Sequence, residues 1–128
     1  MKKLVISLVL FLFACSSEQV EVFKVGSYKM VDSLNNVPTI IRFSEDGKFS
    51  GKVVNNIMGN YTIGKNKSLS FGDAATTMMM GPEEAMEAEQ NFLQILPKIR
   101  SYKMQGNYLA LITENGGQLL FEPFSESE

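Results

Sequence analysis

Short runs of β-branched and aromatic residues, separated by glycines, dominate the chain between residues 43 and 71. Residues 43–49 predict a strand, a tight turn and a second strand, because Asp46 and Gly47 form a favoured pair where a hairpin turn needs a positive φ angle. Three further short pieces have a strand-like composition. They are residues 53–54, 61–63 and 69–71, punctuated by Gly51, Gly59 and Gly64. This part of the chain is therefore predicted to be a meander of short antiparallel strands.

Strand-like segments also flank this meander. On the N-terminal side, residues 22–31 predict one or two strands around Gly26, and residues 39–43 predict another. A loop separates them at residues 35–38, since asparagine tolerates left-handed φ angles and Pro38 lacks the N–H that a central strand requires. The predicted C-terminal strands are residues 101–104, 108–113 and 118–121, with turns at residues 105–107 and 114–117.

One amphipathic helix is predicted, and it begins at Pro82. Proline suits the first helical position because its missing N–H would have no partner there, and Glu83 and Glu84 follow where the helix dipole favours carboxylates. Apolar residues then recur at three- and four-residue spacing, which predicts burial of one side against a sheet. This stripe comprises Ala85, Ala88, Phe92, Ile95 or Leu96, and Ile99, and Pro97 ends the regular pattern. The polar residues Glu87, Glu89, Gln90 and Gln94 are expected to face water.

The order of these elements predicts the fold class. Strands followed by one helix and then more strands are typical of an α+β fold, with the helix packed on a curved antiparallel sheet. The sheet is expected to be either an open curved sheet or a partly open barrel, since its strands are short and numerous and closure removes exposed edges.

The first 14 residues predict a lipoprotein signal peptide. Lys2 and Lys3 are followed by an apolar run over residues 4–13, and a run of about 10 residues suits a signal peptide better than a spanning helix of about 20 residues. The run ends in residues 12–15, which resemble a bacterial lipobox that ends in Cys15. Cleavage before Cys15 would leave its sulfur carrying a diacylglyceryl group. The alternative is an uncleaved signal in which Cys15 is an incidental buried thiol.

Cysteine use and charge agree with this anchor. Cys15 is the only cysteine, so no intramolecular disulfide can form. Without Lys2 and Lys3 the chain keeps 10 basic residues against 14 acidic ones, a formal charge of −4. An acidic chain with scattered cations predicts no nucleic-acid partner. The expected organisation is a lipidated cysteine and short tether at residues 15–21, a domain at residues 22–124 and an acidic tail at residues 125–128. The expected location is the cell envelope, at the outer membrane facing the periplasm.

The residues available for chemistry predict no enzyme. Histidine is absent, which removes the commonest general base and the commonest metal ligand. Paired carboxylates occur in a predicted turn and on the predicted helix. They are Glu45 with Asp46, Glu83 with Glu84, and Glu87 with Glu89. We therefore expect no catalytic residue, no cofactor and no metal site.

The run of three methionines at residues 78–80 is the one unusual feature. Thioethers can bind Cu(I), which would suit an oxidising envelope compartment. The alternative is that flexible methionine side chains fill gaps where a loop meets the sheet. Gap filling is the favoured interpretation, and whether these residues bind copper is left open.

Several of these motifs resemble the META domain family (heat-shock protein HslJ type). Asn55, Gly59 and Tyr61 match its Asn-x-x-x-Gly-x-Tyr pattern, and the resemblance extends over residues 22–124 as an ordered set of short matches. Other matches are Phe43, Asp46, Gly47, Gly51, Leu69, Phe71, Thr77, Met79, Leu120 and Phe121. Many members carry cysteines where this chain has Val54 and Gly81. A disulfide between those positions would be absent here, and Val54 is expected to be a core contact instead.

The resemblance implies a small envelope protein with one helix on an antiparallel sheet, and it implies no enzymatic activity. Some family members are linked to stress responses. A binding role is predicted for Asn55, Gly59 and Tyr61. We expect a protein-docking module that binds another envelope protein, or alternatively a small carrier that holds a hydrophobic ligand between helix and sheet, lined by Phe92 and Leu96. The oligomeric state cannot be read from the sequence.

Overall fold

The computed structural model of the protein describes residues 22–125, which form eight strands and one α-helix. The strands are β1 (Gly26–Met30), β2 (Ile40–Phe43), β3 (Lys48–Lys52), β4 (Asn56–Ile63), β5 (Leu69–Thr76), β6 (Ile99–Gln105), β7 (Tyr108–Thr113) and β8 (Gln118–Pro123). The helix is α1 (Glu83–Ile95), and short 3-10 turns span Leu34–Asn36, Lys65–Lys67 and Leu96–Lys98. The predicted signal peptide at residues 1–14, the predicted lipidated cysteine and tether at residues 15–21, and residues 126–128 of the predicted tail lie outside the described residues.

The strands form a single antiparallel sheet in the order β5-β4-β3-β2-β1-β8-β7-β6. The sheet curls until its two edges meet at one point, where Ser68, just before β5, forms a β-bridge with Ser101 of β6. The helix packs against the inner face of this curled sheet. The predicted α+β class, with a curved antiparallel sheet and one helix, is therefore confirmed.

The glycine turns lie where the sequence predicts them. Gly47 has a φ angle of +84° between β2 and β3, and Gly106 has a φ angle of +64° between β6 and β7. Both angles favour glycine because a side chain would clash with the backbone there. These two turns set the register of the hairpins that they close.

One core fills the space between the sheet and the helix. Alternate residues of the strands point inward, so Ile41, Phe43 and Phe49 are buried while their neighbours are less so. The helix contributes Phe92 and Leu96 to the same cluster. Full burial of one such side chain stabilises the fold by about 1.5–3 kcal/mol. The predicted apolar stripe is thus the surface that attaches the helix to the sheet.

The chain enters the sheet through a partly buried aromatic ring, not through a strand. Residues 22–25, which the sequence predicts as strand, lie outside any strand. The ring of Phe23 packs edge-on against Phe43 and Tyr102, with a centroid distance of 5.0 Å to each. Packing of this ring against aromatic residues of two strands outweighs the β-propensity of the segment.

Two other segments also differ from the sequence prediction. Residues 53–54, predicted as strand, form the turn between β3 and β4, while β5 continues to Thr76 through small residues that have little β-propensity. Gly51 and Gly59 lie inside β3 and β4 and do not end them. Hydrogen bonds between β5 and β4 hold this segment as a strand, and the local composition does not reveal them.

The β3–β4 turn and the start of the domain lie at opposite ends of the sheet. Gly26, at the start of β1, pairs with Phe43 at one end of β2. Lys52, just before the β3–β4 turn, pairs with Ile40 at the other end of β2. Three residue steps along β2 separate these two pairs by about 10 Å.

Candidate functional site

Asn55 is the centre of a buried hydrogen-bond cluster in the β3–β4 turn. It is 3% exposed. Its Oδ1 accepts hydrogen bonds from the Thr77 hydroxyl at 2.9 Å and from the Met79 N–H at 2.6 Å. Its Nδ2 donates to Oε2 of Glu89 at 2.8 Å and to the Met79 carbonyl at 3.2 Å. One side chain therefore joins the turn, the segment after β5 and the helix.

Glu89 lies on the buried side of the helix, so the expectation that it faces water is wrong. It is 2% exposed, and its Oε1 accepts hydrogen bonds from the N–H groups of Val54 at 3.0 Å and Asn55 at 2.6 Å. The spacing contained a signal, because Glu89 is four residues after Ala85 and three before Phe92, on the apolar stripe. A carboxylate at that position is stable because the turn places backbone donors against it.

Burial and hydrogen bonding have opposite effects on the Glu89 carboxyl group. Burial alone would raise its pKa, but hydrogen bonds from the Asn55 N–H, the Asn55 side chain and the Val54 N–H outweigh this effect and lower the pKa below 4.5. Among the described residues, no buried side-chain nitrogen or oxygen lacks a hydrogen-bond partner. The buried polar atoms of the cluster therefore all have hydrogen-bond partners, and the evident role of the cluster is to hold three segments together.

The other two residues of the predicted motif lie elsewhere. Gly59 lies in β4, where a Cβ atom would come within 2.8 Å of the Asp73 carbonyl oxygen, so only glycine fits this approach of β5. The buried Tyr61 donates a 2.6 Å hydrogen bond from its hydroxyl to the Ser44 carbonyl at the β2–β3 turn. The structure thus gives Asn55, Gly59 and Tyr61 separate packing and hydrogen-bonding roles. A binding role for them stays a prediction.

The segment 77–81 between β5 and the helix, here called the methionine loop, combines a fixed backbone with exposed side chains. Met78 and Met80 are 91% and 87% exposed, so the expectation that they fill gaps is wrong. The backbone of Met79 is nevertheless bound on both sides by Asn55, through its N–H and its carbonyl. Within residues 22–125, no cluster of three or more His, Cys, Asp or Glu side chains is placed to hold a metal ion. Copper binding by the thioethers stays a hypothesis.

A groove of about 520 Å³, here called the outer groove, lies on the solvent face of β2, β3 and β4. Its lining includes Ile40, Arg42, Lys52, Met58, Thr77 and Phe124. Since Thr77 is also the first residue of the methionine loop, the groove and the loop form a continuous surface.

The space between helix and sheet is smaller than the outer groove. It measures about 180 Å³ and is lined in part by Phe92, Ile95 and Leu119. Phe92 and Leu96, which the carrier hypothesis places along a ligand site, are 2% and 3% exposed and belong to the packed core. The larger depression is therefore outside the sheet, not beneath the helix.

Val54 and Gly81 are neighbours in space. A Cβ atom built on Gly81 would be 3.8 Å from the Val54 Cβ and 3.0 Å from its Cγ1. The Cβ–Cβ distance in disulfides averages about 3.8 Å. The two positions at which the resemblance places cysteines are thus within the Cβ–Cβ distance of a disulfide, and here the valine side chain lies over the glycine.

Comparison with known proteins gives a family and a fold. The family model of the META domain matches residues 18–126. A similar solved structure is that of a DUF4847 family protein from Bacteroides vulgatus, with 18% identity, a TM-score of 0.60, and coverage of 82% of this chain and 96% of that one. Another, determined by NMR, is a protein from Burkholderia xenovorans, with 21% identity, a TM-score of 0.64, and coverage of 85% and 95%. At these identities the structures show the fold alone. No curated protein matches the chain.

Replacement of Glu89 by glutamine is expected to destabilise the fold by about 2–3 kcal/mol at neutral pH. The glutamine amide has no negative charge. Its NH2 group would take a position where Asn55 Nδ2 donates, so that two hydrogen-bond donors would face each other. Urea unfolding would measure the change. Glu87→Gln, two residues earlier on the exposed side of the helix, is the matched control and should stay within about 0.5 kcal/mol of the wild type.

A comparison of the wild type with Glu89→Gln also gives a pH test. Because the folded-state pKa of Glu89 is lowered, its contribution to stability is complete above the unfolded-state pKa and is lost as the pH falls through the folded-state value. The wild type should therefore lose more stability than Glu89→Gln between neutral pH and strong acid. Parallel stability profiles for the two proteins would contradict the structural role given to this carboxylate.

The double replacement Val54→Cys with Gly81→Cys is expected to form a disulfide and to stabilise the fold by about 2–4 kcal/mol. Cys15→Ser in the same chain removes the competing thiol. Thermal unfolding with and without a reductant would measure the gain, and the two single-cysteine variants are the controls. A double variant that stays reduced under oxidising conditions would show that residues 54 and 81 are not neighbours.

Proposed function

Because the chain belongs to the META domain family, which is not known as an enzyme family, we propose that it is a non-catalytic docking module of the bacterial cell envelope. In this proposal a lipid on Cys15 holds the protein to the outer membrane, and the methionine loop binds another envelope protein. The observation that carries the docking role is the contrast between the fixed backbone and the exposed side chains of that loop.

The anchor is supported by the sequence and by the position of the start of the domain. Residues 1–15 have the order of charge, apolar run and cysteine that lipoprotein processing requires. Phe23 is already packed among core aromatic rings, so the tether between lipid and domain would be short. No helix among residues 22–125 is both long and apolar enough to span a membrane.

The docking role is supported by the cost of exposing the loop. The exposed methionine side chains keep their apolar surface in contact with water, which is unfavourable. Exposed apolar surface of this kind marks interaction sites. Their flexibility and polarisable sulfur suit a surface that adapts to a partner. The hydrogen bonds from Asn55 to Met79 hold the backbone in place before binding, which reduces the entropy lost on association.

The two parts of the proposal agree in their geometry. The described chain enters the sheet at the end where Gly26 pairs with Phe43, whereas Asn55 and the methionine loop are at the other end. An anchored domain would hold the loop away from its own membrane and accessible to a protein. The alternative carrier role has less support, because the helix–sheet space of about 180 Å³ is small for a ligand pocket.

The anchor predicts that Cys15→Ser moves the protein from the membrane fraction to the soluble fraction. Intact mass of the wild type purified from membranes should show a chain that starts at Cys15 and carries a diacylglyceryl group. A wild-type chain that retains residues 1–14 with an unmodified Cys15 would refute the anchor.

Docking predicts specific cross-links from the methionine loop. A photo-reactive amino acid at position 78 or 80 should give one discrete cross-linked product in native membranes, because these are the most exposed large apolar side chains among the described residues. The matched control is the same amino acid at the exposed Glu45, at the opposite end of the sheet. The same products from all three positions, or none from positions 78 and 80, would count against docking by the loop.

A further inference from the structure

Met78 and Met80 are the described methionines that an oxidant in solution reaches most easily. They are 91% and 87% exposed, whereas Met58 and Met79 are only about half exposed and Met104 is buried in the core. A peroxide must contact the sulfur to oxidise it, so the rate of oxidation follows the exposure of the side chain. The thioethers of Met78 and Met80 are therefore expected to react first.

Thioethers are the groups most readily oxidised within residues 22–125, because this part of the chain contains no cysteine. A free thiolate would react ahead of a thioether and would protect it. In the proposed function the sulfur of Cys15 carries a lipid and is not a free thiol either. A two-electron oxidant therefore has the methionine loop as its first expected target on the domain.

Oxidation of Met78 and Met80 leaves the support of the methionine loop intact. The hydrogen bonds that fix the loop join Asn55 to the Thr77 hydroxyl and to the N–H and carbonyl of Met79, and no thioether takes part in them. Oxidation of the buried Met104 would instead place a polar sulfoxide in the apolar core, at a cost in stability. The exposed methionines can thus change their chemistry while the domain stays folded.

The reaction balances with a peroxide as the oxidant. A lone pair of the methionine sulfur attacks one oxygen of hydrogen peroxide, the O–O bond breaks, and the second oxygen takes the proton of the first and leaves as water. The sulfur loses two electrons and becomes a sulfoxide, and the peroxide is reduced. A methionine sulfoxide reductase reverses the change, because two thiols supply two electrons, form a disulfide and release the sulfoxide oxygen as water.

A sulfoxide changes the surface that the methionine loop offers to a partner. The thioether is apolar and flexible, whereas the sulfoxide is polar and chiral. A partner that covers the sulfoxide must displace water from its oxygen and must then either donate a hydrogen bond to this oxygen or leave it unpaired. Each sulfoxide is therefore expected to weaken docking about tenfold.

We infer that Met78 and Met80 are reversible oxidation sites, and that a peroxide releases the docked protein by converting their thioethers to sulfoxides. The inference rests on the proposed docking function, because the partner that is released is the one on the methionine loop. It adds regulation to that surface. Docking occurs while the thioethers are reduced, and oxidation ends it without unfolding the domain.

Mass mapping tests the two oxidation sites. The full-length protein in a peroxide-free, non-ionic detergent is treated with hydrogen peroxide, and fragmentation of its peptides locates each added oxygen. We expect Met78 and Met80 to take up oxygen first and Met104 to take it up last. The urea midpoint of unfolding should not change while only the first two are modified. Oxidation of Met104 as fast as Met80, or a lower midpoint after modification of the loop alone, would overturn the inference.

The cross-link from position 78 tests the release of the partner. Native membranes that carry the photo-reactive amino acid at this position are treated with peroxide, and Met80 is then the most exposed thioether left on the loop. The measured quantity is the yield of cross-linked product with peroxide relative to the yield without it. We expect this ratio to fall by up to about tenfold, and to recover after treatment with a methionine sulfoxide reductase and a dithiol.

Two substitutions at position 80, each combined with the photo-reactive amino acid at position 78, are the matched controls. Met80→Leu has a similar size and no sulfur, so peroxide should not change its yield of product, whatever that yield is. Met80→Gln is polar like the sulfoxide, and its yield without peroxide should be as low as that of the oxidised chain with Met80. Both variants should keep the wild-type urea midpoint, because the side chain is exposed.

The outcomes separate this inference from the docking proposal. If product forms and peroxide reduces it only in chains that have Met80, both are supported. If product forms and oxidation of Met80 does not reduce it, the inference is overturned and docking by the loop stands. An equal loss of product in Met80→Leu would place the sensitive group elsewhere and would also overturn the inference. If no product forms from position 78 or 80 without peroxide, the docking proposal fails and the inference fails with it.

Discussion

The hydrogen bonds of the Glu89 carboxylate to residues 54 and 55 are the interaction on which one whole end of the fold depends. A buried carboxylate without donors would cost several kcal/mol, so the helix, the β3–β4 turn and the methionine loop must be in place together. Asn55 completes the arrangement, because it links Glu89 to both backbone groups of Met79. Loss of either side chain would affect three segments that are far apart in the sequence.

This cluster lies beside the positions where the family resemblance places a pair of cysteines. Val54 and Gly81 are close enough for a disulfide, yet the chain has valine and glycine there. The polar cluster joins the same two segments without a covalent bond. Such an arrangement keeps the methionine loop fixed in any redox condition, because the described residues that hold it contain no thiol.

In this arrangement some residues are buried and stabilise the fold, whereas others are exposed and available to a partner. Side chains that resemble a binding motif, Asn55 and Tyr61, are turned inward and hold turns in place. Side chains that a composition argument assigns to gap filling, Met78 and Met80, are turned outward. The proposed docking surface therefore lies on the outside of the curled sheet, and the buried motif residues support the structure beneath it.

The sequence by itself determined the α+β class, the glycine turns and the buried side of the helix, because each depends on local periodicity or on the φ angle of a single residue. It did not reveal that Glu89 is buried, although the residue lies on the apolar stripe, because its donors come from a turn 34 residues away. The extension of β5 and the aromatic packing of Phe23 also depend on strand pairing between distant segments. Only the tertiary structure decided which polar residues are buried and which apolar ones are exposed, since that depends on the partners that closure of the sheet brings together.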